Sequence, residues 1–538
     1  MTTTVEHDDH PPAAGASGAL PAGVRSRRSM LALTAVESGR LLRHPAVLAA
    51  TALGVWLLWR SGEGTAPVLH YADIATQVAL ATLAGAALLA TNLAVLRPYR
   101  DGAVDLYGAT RLSLARRTLA HLLSVLPLVV LGGILVVADL VWLASMPGSI
   151  GTAHLAEAAI GPALIALGGC LGVLLGRLVR SAALAPLVLV ALAFGSMTLA
   201  ELQIVGRDQR PWTWLGTLLR APPFDPPPAD LLGRPATWHL VYLLGITVTV
   251  AALAVLRSQA QAGARRNAQV AAAMILVAAL AATTAAAVVQ TRPLSSTLAA
   301  QRQAVVTNPS AELVCQRRGP AVYCVFPGFE PQIALWEPTV RAVVAAVPPA
   351  AAARALPVTV AHRVGLHRFI EEEGNLGCQE GQCPSGPMIA PVGTAWGRRD
   401  VLAQARLATG VAARLVAPTR GDGQQPQWSE CGAQAVVALW LGGQASPQAA
   451  EGIRQAVTSA AARFETFVMA HDPADDPFWS VRAGQFALAL LDRPHDQIAQ
   501  TLARNWDLVT APDTTIERLG DVLGIQPPSG TSNPGPGC

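Results

Sequence analysis

Ionisable side chains occur inside long apolar segments of this sequence, where they could carry protons or contact a polar cargo. Asp139 and Glu157 are the clearest cases, with His154 close by and His121 a weaker one. Charged groups are costly in a bilayer and often mark substrate or proton pathways. Asp139 and Glu157 are therefore predicted intramembrane polar sites. The alternative is that they lie close enough to headgroups or water to be solvated.

The second half of the chain lacks familiar catalytic patterns. The motifs His-Glu-x-x-His and Gly-x-Ser-x-Gly are absent. His362 and His367 precede Glu371, Glu372 and Glu373, but this spacing is not one used for zinc. The sequence therefore predicts no catalytic residue and no metal site, although an unfamiliar site escapes motif reading.

A charged segment between two apolar runs could act as a mechanical handle. Its polar and flanking residues are Arg100, Asp101, Gly102, Asp105, Leu106 and Thr110. Residues 104–112 could form a short helix that a soluble partner grips, thereby moving the adjoining helices. The alternative is an ordinary cytoplasmic loop, whose positive charges follow the positive-inside rule.

Composition restricts the possible functions. The 538 residues are 52% hydrophobic and 14% charged, against about 25% charged in soluble proteins. All 39 basic residues are arginine. A P-loop needs a lysine that reaches the nucleotide phosphates, so this chain holds none. The net charge of +4 is too small and scattered for nucleic-acid binding.

Seven apolar runs are candidates to cross a membrane. Most contain about 18–25 residues, enough for a hydrocarbon core of roughly 30 Å. They occupy residues 45–59, 75–96, 119–144, 157–176, 181–200, 239–256 and 270–290. The sequence predicts about seven spans, of which the fourth and fifth are the least distinct.

Arginine placement predicts the orientation of these spans. With the N-terminus in the cytoplasm, 15 arginines of the first 290 residues lie inside and five lie outside. This asymmetry agrees with the positive-inside rule. Seven spans then place the chain after residue 290 outside the cell membrane.

Cysteines favour the same orientation. Six of the seven follow residue 290, where an oxidising compartment would allow disulfides. The six candidates are Cys315, Cys324, Cys378, Cys383, Cys431 and Cys538. Local pairing favours Cys315–Cys324, across a hairpin turn at residues 317–320, and Cys378–Cys383. Free thiols are the alternative.

These patterns predict an α-helical polytopic membrane protein followed by an α+β extracytoplasmic domain. The predicted units are a disordered cytoplasmic tail (1–26), a transmembrane domain (27–290), the extracytoplasmic domain (291–526) and a flexible tail (527–538).

The membrane part resembles the permease subunits of type-2 ABC exporters. In that family the loop between the second and third spans carries a pattern close to R-E-x-G-T-L-E-L-L-L-A-T-P-L-S-R. Here Asp101 and Asp105 match the two acidic positions, although Arg111 replaces the usual proline. Residues 29–45 resemble the family's helix that lies along the membrane before the first span. The resemblance covers residues 27–256, and its motifs are loose.

The resemblance implies a transporter whose cytoplasmic loop docks on a separate ATPase subunit. ATP and magnesium would bind that partner, so this chain itself would need no cofactor. The family works as a dimer of permease halves, here a homodimer or a heterodimer. The extra span and the large outer domain depart from the family and leave the cargo open.

Two other functions remain open on the sequence alone. The chain could be a membrane-anchored extracytoplasmic receptor without transport activity, although seven spans exceed what an anchor needs. It could also be a membrane enzyme with outer catalysis, against which the missing motifs count.

Overall fold

The computed structural model describes residues 22–62, 66–105, 112–204, 211–218, 227–262, 266–364, 389–393, 396, 401–417, 432–463, 467–468 and 478–529. The predicted tail at 527–538 lies outside these residues from position 530 onward. At the other end, residues 1–21 lie outside them, and the first helix begins at Ala22, within the predicted N-terminal tail.

The first half of the chain is a bundle of long helices. They are α1 (Ala22–Leu42), α2 (Pro45–Gly62), α3 (Asp73–Arg100), α4 (Leu114–Leu123), α5 (Leu126–Ala144), α6 (Leu155–Leu178), α7 (Leu184–Ile204), the short α8 (Ala229–Leu232), α9 (Ala236–Gln261) and α10 (Arg266–Gln290). A short 3-10 helix, Pro211–Leu215, precedes α8.

Five helical segments are long and apolar enough to cross a membrane: α3, α4 together with α5, α6, α9 and α10. A sixth is possible if α1 from Arg27 and α2, which meet at 57°, act as one broken span. The apolar part of α7, Leu184–Leu199, is shorter than these spans. The protein is therefore mostly helical and compatible with a membrane, with five or six such segments.

Helices α3 and α6 form the centre of the bundle. Small residues of α6 allow this approach, because Gly168 faces the carbonyl oxygen of Ala84 and Gly172 faces that of Leu88. Thr91 adds a hydrogen bond from its Oγ1 to the Gly169 carbonyl oxygen at 2.9 Å. Small residues and such bonds are typical of helix contacts within membranes.

The second half of the chain is an α+β unit, which we call the C-terminal domain (residues 296–529). It begins with α11 (Ser296–Thr307). The remaining elements are β1 (Val314–Arg318), β2 (Ala321–Val325), α12 (Ile333–Ala346), α13 (Pro349–Ala355), β3 (Val358–Arg363), β4 (Ile389–Gly393), α14 (Val401–Val416), α15 (Ala433–Gly443), α16 (Pro447–Arg463), β5 (Phe467–Val468), β6 (Phe478–Trp479), α17 (Val481–Leu491), α18 (His495–Arg504), α19 (Trp506–Val509) and α20 (Ile516–Leu523).

Its main sheet has the strand order β1-β2-β3-β4. Strands β1 and β2 form an antiparallel hairpin, whereas β2–β3 and β3–β4 are parallel. The glycines and cysteines of residues 374–395 predict a loop, but strand β4 lies inside this range. A strand of five residues that contains a proline carries too little periodicity to be recognised.

The C-terminal domain packs against one end of the helix bundle. Val68 and Ile150, from the loops before α3 and α6, and Leu231, from the short helix α8 before α9, belong to the same hydrophobic core as the sheet and α14. A parallel bridge joins Val68 to Ile150, and Arg302 of α11 donates hydrogen bonds to the carbonyl oxygens of Leu231 and Leu232 at 2.8 and 2.7 Å. We call this the domain end of the bundle and the opposite one the loop end.

Candidate functional sites at the two ends of the bundle

At the loop end, the charged segment continues directly from the central helix α3. Helix α3 ends at Arg100, and Asp101 caps it with a hydrogen bond from its backbone N–H to the Arg97 carbonyl oxygen. Gly102 has a φ of +64°, a conformation that favours glycine. Arg100, Asp101, Gly102 and Asp105 are exposed to solvent. Leu106 and Thr110 lie outside the described residues.

A buried glutamate joins α1 to α3 beside this segment. Glu37 of α1 is 5% exposed, and its Oε1 accepts hydrogen bonds from Arg97 Nη1 at 2.8 Å and from Arg40 Nη1 at 2.9 Å. Arg97 lies one turn before the end of α3. A displacement of the exposed segment would therefore be transmitted to α1 as well as to α3.

A cavity of about 420 Å³ opens at the same end. Its charged and aromatic lining comprises Glu37, Arg97, Tyr99, Arg117, His121 and Arg177, from α1, α3, α4 and α6. Just outside it, the guanidinium carbon of Arg180 lies 4.7 Å from the centre of the Tyr99 ring. Three arginines, Arg97, Arg117 and Arg177, line this cavity. They are far apart in the chain, so their proximity could not be predicted from the sequence.

At the domain end, one arginine binds two carboxylates. The side chain of Arg234 is 2% exposed. It lies 3.0 Å from Asp73 Oδ1 through Nη1 and 3.0 Å from Glu157 Oε1 through Nη2. Asp73 begins α3, Glu157 lies in the first turn of α6, and Arg234 precedes α9. The predicted polar site Glu157 is thus a member of a buried ion-pair cluster that joins three elements.

Neighbouring groups complete this cluster. Gln77 donates to Asp73 Oδ2 at 2.7 Å, and Arg234 Nη2 donates to the His70 carbonyl oxygen at 2.5 Å. His70 contacts the Pro227 carbonyl oxygen through Nε2 at 2.9 Å. Burial lowers the pKa of His70, the hydrogen bond to Pro227 opposes this shift, and the charge of Arg234 adds to it. Burial and the charge of Arg234 therefore favour the neutral form of His70 beside the cluster.

The second predicted intramembrane site, Asp139, is buried in α5 at 6% exposure. Its Oδ2 has no hydrogen-bond partner among the described residues. Glu157 and Asp139 are thus both withdrawn from water within the protein, but only Glu157 takes part in the Arg234 cluster. His154 directly precedes α6 and is exposed.

Sequence reasoning missed Asp73 and Arg234 as partners of Glu157. Arg234 was counted only as one of the five outer arginines, and the apolar run predicted at 75–96 does not include Asp73. The predicted topology does place Asp73, Glu157 and Arg234 together at the outer ends of their helices, which is a sequence signal for pairing. Distances between helices, however, are not encoded in that topology.

One predicted disulfide is confirmed. Cys315 and Cys324 are bonded across the β1–β2 hairpin, with their Cα atoms 4.0 Å apart. Cys378, Cys383, Cys431 and Cys538 lie outside the described residues, so their pairing stays a prediction. Cys170 is buried in α6.

The histidine considered for metal binding lies in the core of the C-terminal domain. His362 of β3 is fully buried, with ring centroids of Phe326, Phe329 and Trp336 at 5.5, 4.7 and 5.7 Å. Burial lowers the pKa of His362 to about 3. Its environment is that of a neutral core side chain. Within the described ranges, no group of three histidine, cysteine or acidic residues could hold a metal.

Comparisons with known proteins give no family assignment. No protein-family model, no curated protein and no solved structure matches this chain.

Proposed function

We propose that this chain is the membrane-spanning permease subunit of an ATP-driven transporter of the type-2 ABC exporter kind. A separate ATPase subunit, which binds ATP and magnesium, grips the segment from Arg100 to Thr110 and drives movement of the helices. The permease works as a homodimer or heterodimer in the cell membrane, and its direction of transport is outward.

The observation that carries this proposal is the continuity of the exposed acidic segment with the central helix. Asp101 and Asp105 are exposed directly beyond the last turn of α3. Helix α3 in turn packs along α6 and is joined to α1 by the Glu37–Arg97 ion pair. Force applied at Asp101–Asp105 would reach the whole bundle, because helices are stiff and tightly packed.

The proposed topology has seven spans, a cytoplasmic N-terminus and an extracytoplasmic C-terminal domain. The loops before α3 and α6, and the short helix α8 before α9, all contact the C-terminal domain. Helix α7 starts near Leu88 and Leu175 and reaches the Thr217 region, where Ser196 and Thr217 share a hydrogen bond. This path supports α7 as a crossing helix, and the Cys315–Cys324 bond supports an oxidising compartment.

The proposal is tested by replacing Asp105 with arginine in the full chain. Reversal of the charge should weaken docking of a soluble ATPase by about tenfold, because a lost charge-assisted bond and a new repulsion oppose it. The measurement is a mild-detergent pull-down from native membranes with partners identified by mass spectrometry.

The matched control is Asp496→Arg, which makes the same charge change on an exposed residue of the C-terminal domain. Recovery of a stoichiometric P-loop ATPase with the wild type and this control, but not with Asp105→Arg, supports the permease. If no ATPase accompanies the folded wild-type chain, the membrane-anchored receptor becomes the better proposal.

A further inference from the structure

The cavity at the loop end has an excess of positive charge. Among the described residues of its lining, Arg97, Arg117 and Arg177 are basic and Glu37 is the one carboxylate. Positions 106–111, which follow the described segment, contain an arginine and no acidic residue. Arg97 is already paired with Glu37, whereas Arg177 has no ion-pair partner among the described residues, so an anion in the cavity would offset its charge.

Polar atoms in this lining are also left without partners by the described part of the chain. Arg177 Nε and His121 Nδ1 are buried and make no hydrogen bond there. Buried polar groups of folded proteins are almost always hydrogen-bonded, so each such atom calls for a ligand or water. Two unmatched nitrogen atoms in one basic cavity indicate a missing polar ligand.

The glutamate specifies a second feature of that ligand. Glu37 Oε1 is held by Arg97 and Arg40, whereas Oε2 is buried without a hydrogen-bond partner among the described residues. A carboxylate oxygen accepts hydrogen bonds. The complementary ligand therefore combines an anionic group for the arginines with a hydroxyl or ammonium donor for Glu37.

The residues around the cavity favour a lipid as the molecule that carries this anionic group. Val36, Leu119 and Leu178 are exposed by 51%, 39% and 51%, and each adjoins or nearly adjoins a lining residue in sequence. Basic pockets between spanning helices are suited to anionic headgroups. Exposed apolar side chains beside such a pocket can contact the acyl chains of the same molecule.

We propose that this cavity binds the headgroup of an anionic phospholipid with free hydroxyl groups, of the phosphatidylglycerol type. The phosphodiester contacts Arg177 and Arg117, and a glycerol hydroxyl donates to Glu37 Oε2. The lipid packs between α1, α4 and α6 beside the exposed Asp101–Asp105 segment. This binding does not depend on the proposed transport function.

Native mass spectrometry of the purified full chain tests this inference. The protein is released from mixed micelles that contain equal amounts of phosphatidylglycerol, phosphatidylethanolamine and phosphatidylcholine. We expect phosphatidylglycerol to be retained about tenfold over phosphatidylcholine, since the phosphatidylcholine headgroup has no hydrogen-bond donor for Glu37. Arg177→Gln should reduce that preference to near unity.

Arg116→Gln is the matched control, because Arg116 is exposed on the same helix as Arg117 and does not line the cavity. It should bind like the wild type. Arg117→Gln is a second lining variant in case Arg177→Gln does not fold, as judged by its melting temperature. Equal binding of the three lipids to the wild type overturns the proposal, as does a lining variant that matches Arg116→Gln.

A separate arm distinguishes lipid from free phosphate. Inorganic phosphate is added at increasing concentration to the phosphatidylglycerol complex. Retention of the lipid at millimolar phosphate supports a lipid site. Displacement at concentrations equal to those of the lipid would assign the cavity to a free anion instead and refute the lipid assignment.

Discussion

Arg234 is the counter-charge of the two buried carboxylates at the domain end. It separates Asp73 from Glu157 and is almost fully withdrawn from water, with 2% of its side chain exposed. We expect Arg234→Gln to destabilise the protein by about 3–5 kcal/mol, because two buried carboxylates lose their counter-charge. The measurement is thermal or denaturant unfolding of the full chain in detergent.

Arg60→Gln serves as the control, since Arg60 is exposed near the end of α2. Adding Glu157→Gln to Arg234→Gln should recover part of the stability by removing one of the two carboxylates. An Arg234→Gln protein as stable as Arg60→Gln would show that the cluster contributes nothing to folding. At this scale the sequence identified Glu157 but not its partners, because their pairing depends on helix packing.

The contact between α3 and α6 governs the structure at the scale of elements. A Cβ atom at Gly172 would meet the Leu88 carbonyl oxygen and Thr91 Oγ1, and the first of these is backbone that cannot rotate away. We expect Gly172→Ala to cost about 1–3 kcal/mol through overpacking. The same unfolding measurement in detergent determines the loss.

Gly133→Ala is the matched control, because Gly133 also lies within a helix but has no atom within 4 Å of a Cβ. It should leave stability unchanged or slightly raised, since alanine favours helix. Equal effects of the two substitutions would argue against close α3–α6 packing. Apolar runs of about 20 residues made these helices predictable, whereas α7 is less clear and β4 was not foreseen.

At the scale of the whole molecule, the connections before α3, α6 and α9 hold the helix bundle against the C-terminal domain. Gly148, with a φ of +79°, lies against Leu335 of α12. We expect Gly148→Val to loosen this contact, because the side chain would clash with Leu335 and a left-handed conformation costs about 1–2 kcal/mol. Hydrogen exchange should then quicken at the Leu69 amide, which bonds the Ile150 carbonyl oxygen.

Gly328→Val is the control that distinguishes backbone strain from the clash with Leu335. Gly328 has a φ of +87°, but no atom lies within 4 Å of a Cβ built on it. It should leave exchange at Leu69 unchanged, and Leu335→Ala should partly reverse the effect of Gly148→Val. If Gly328→Val quickens the Leu69 amide equally, the clash with Leu335 is not the cause. The sequence predicted two units but not their shared core, because the loop residues Val68 and Ile150 lie far from the domain in the chain.

The shared core at the domain end has a geometric consequence for motion. The connections that lead into α3, α6 and α9, two loops and the short helix α8, are packed into one folded body. Their mutual spacing is therefore fixed while that body stays folded. Helices held at the domain end can separate only by tilting about that end. The distance between them therefore increases toward the loop end. The largest excursions fall at Asp101–Asp105 and at the arginine-lined cavity, some 30–40 Å away along helices that rise 1.5 Å per residue.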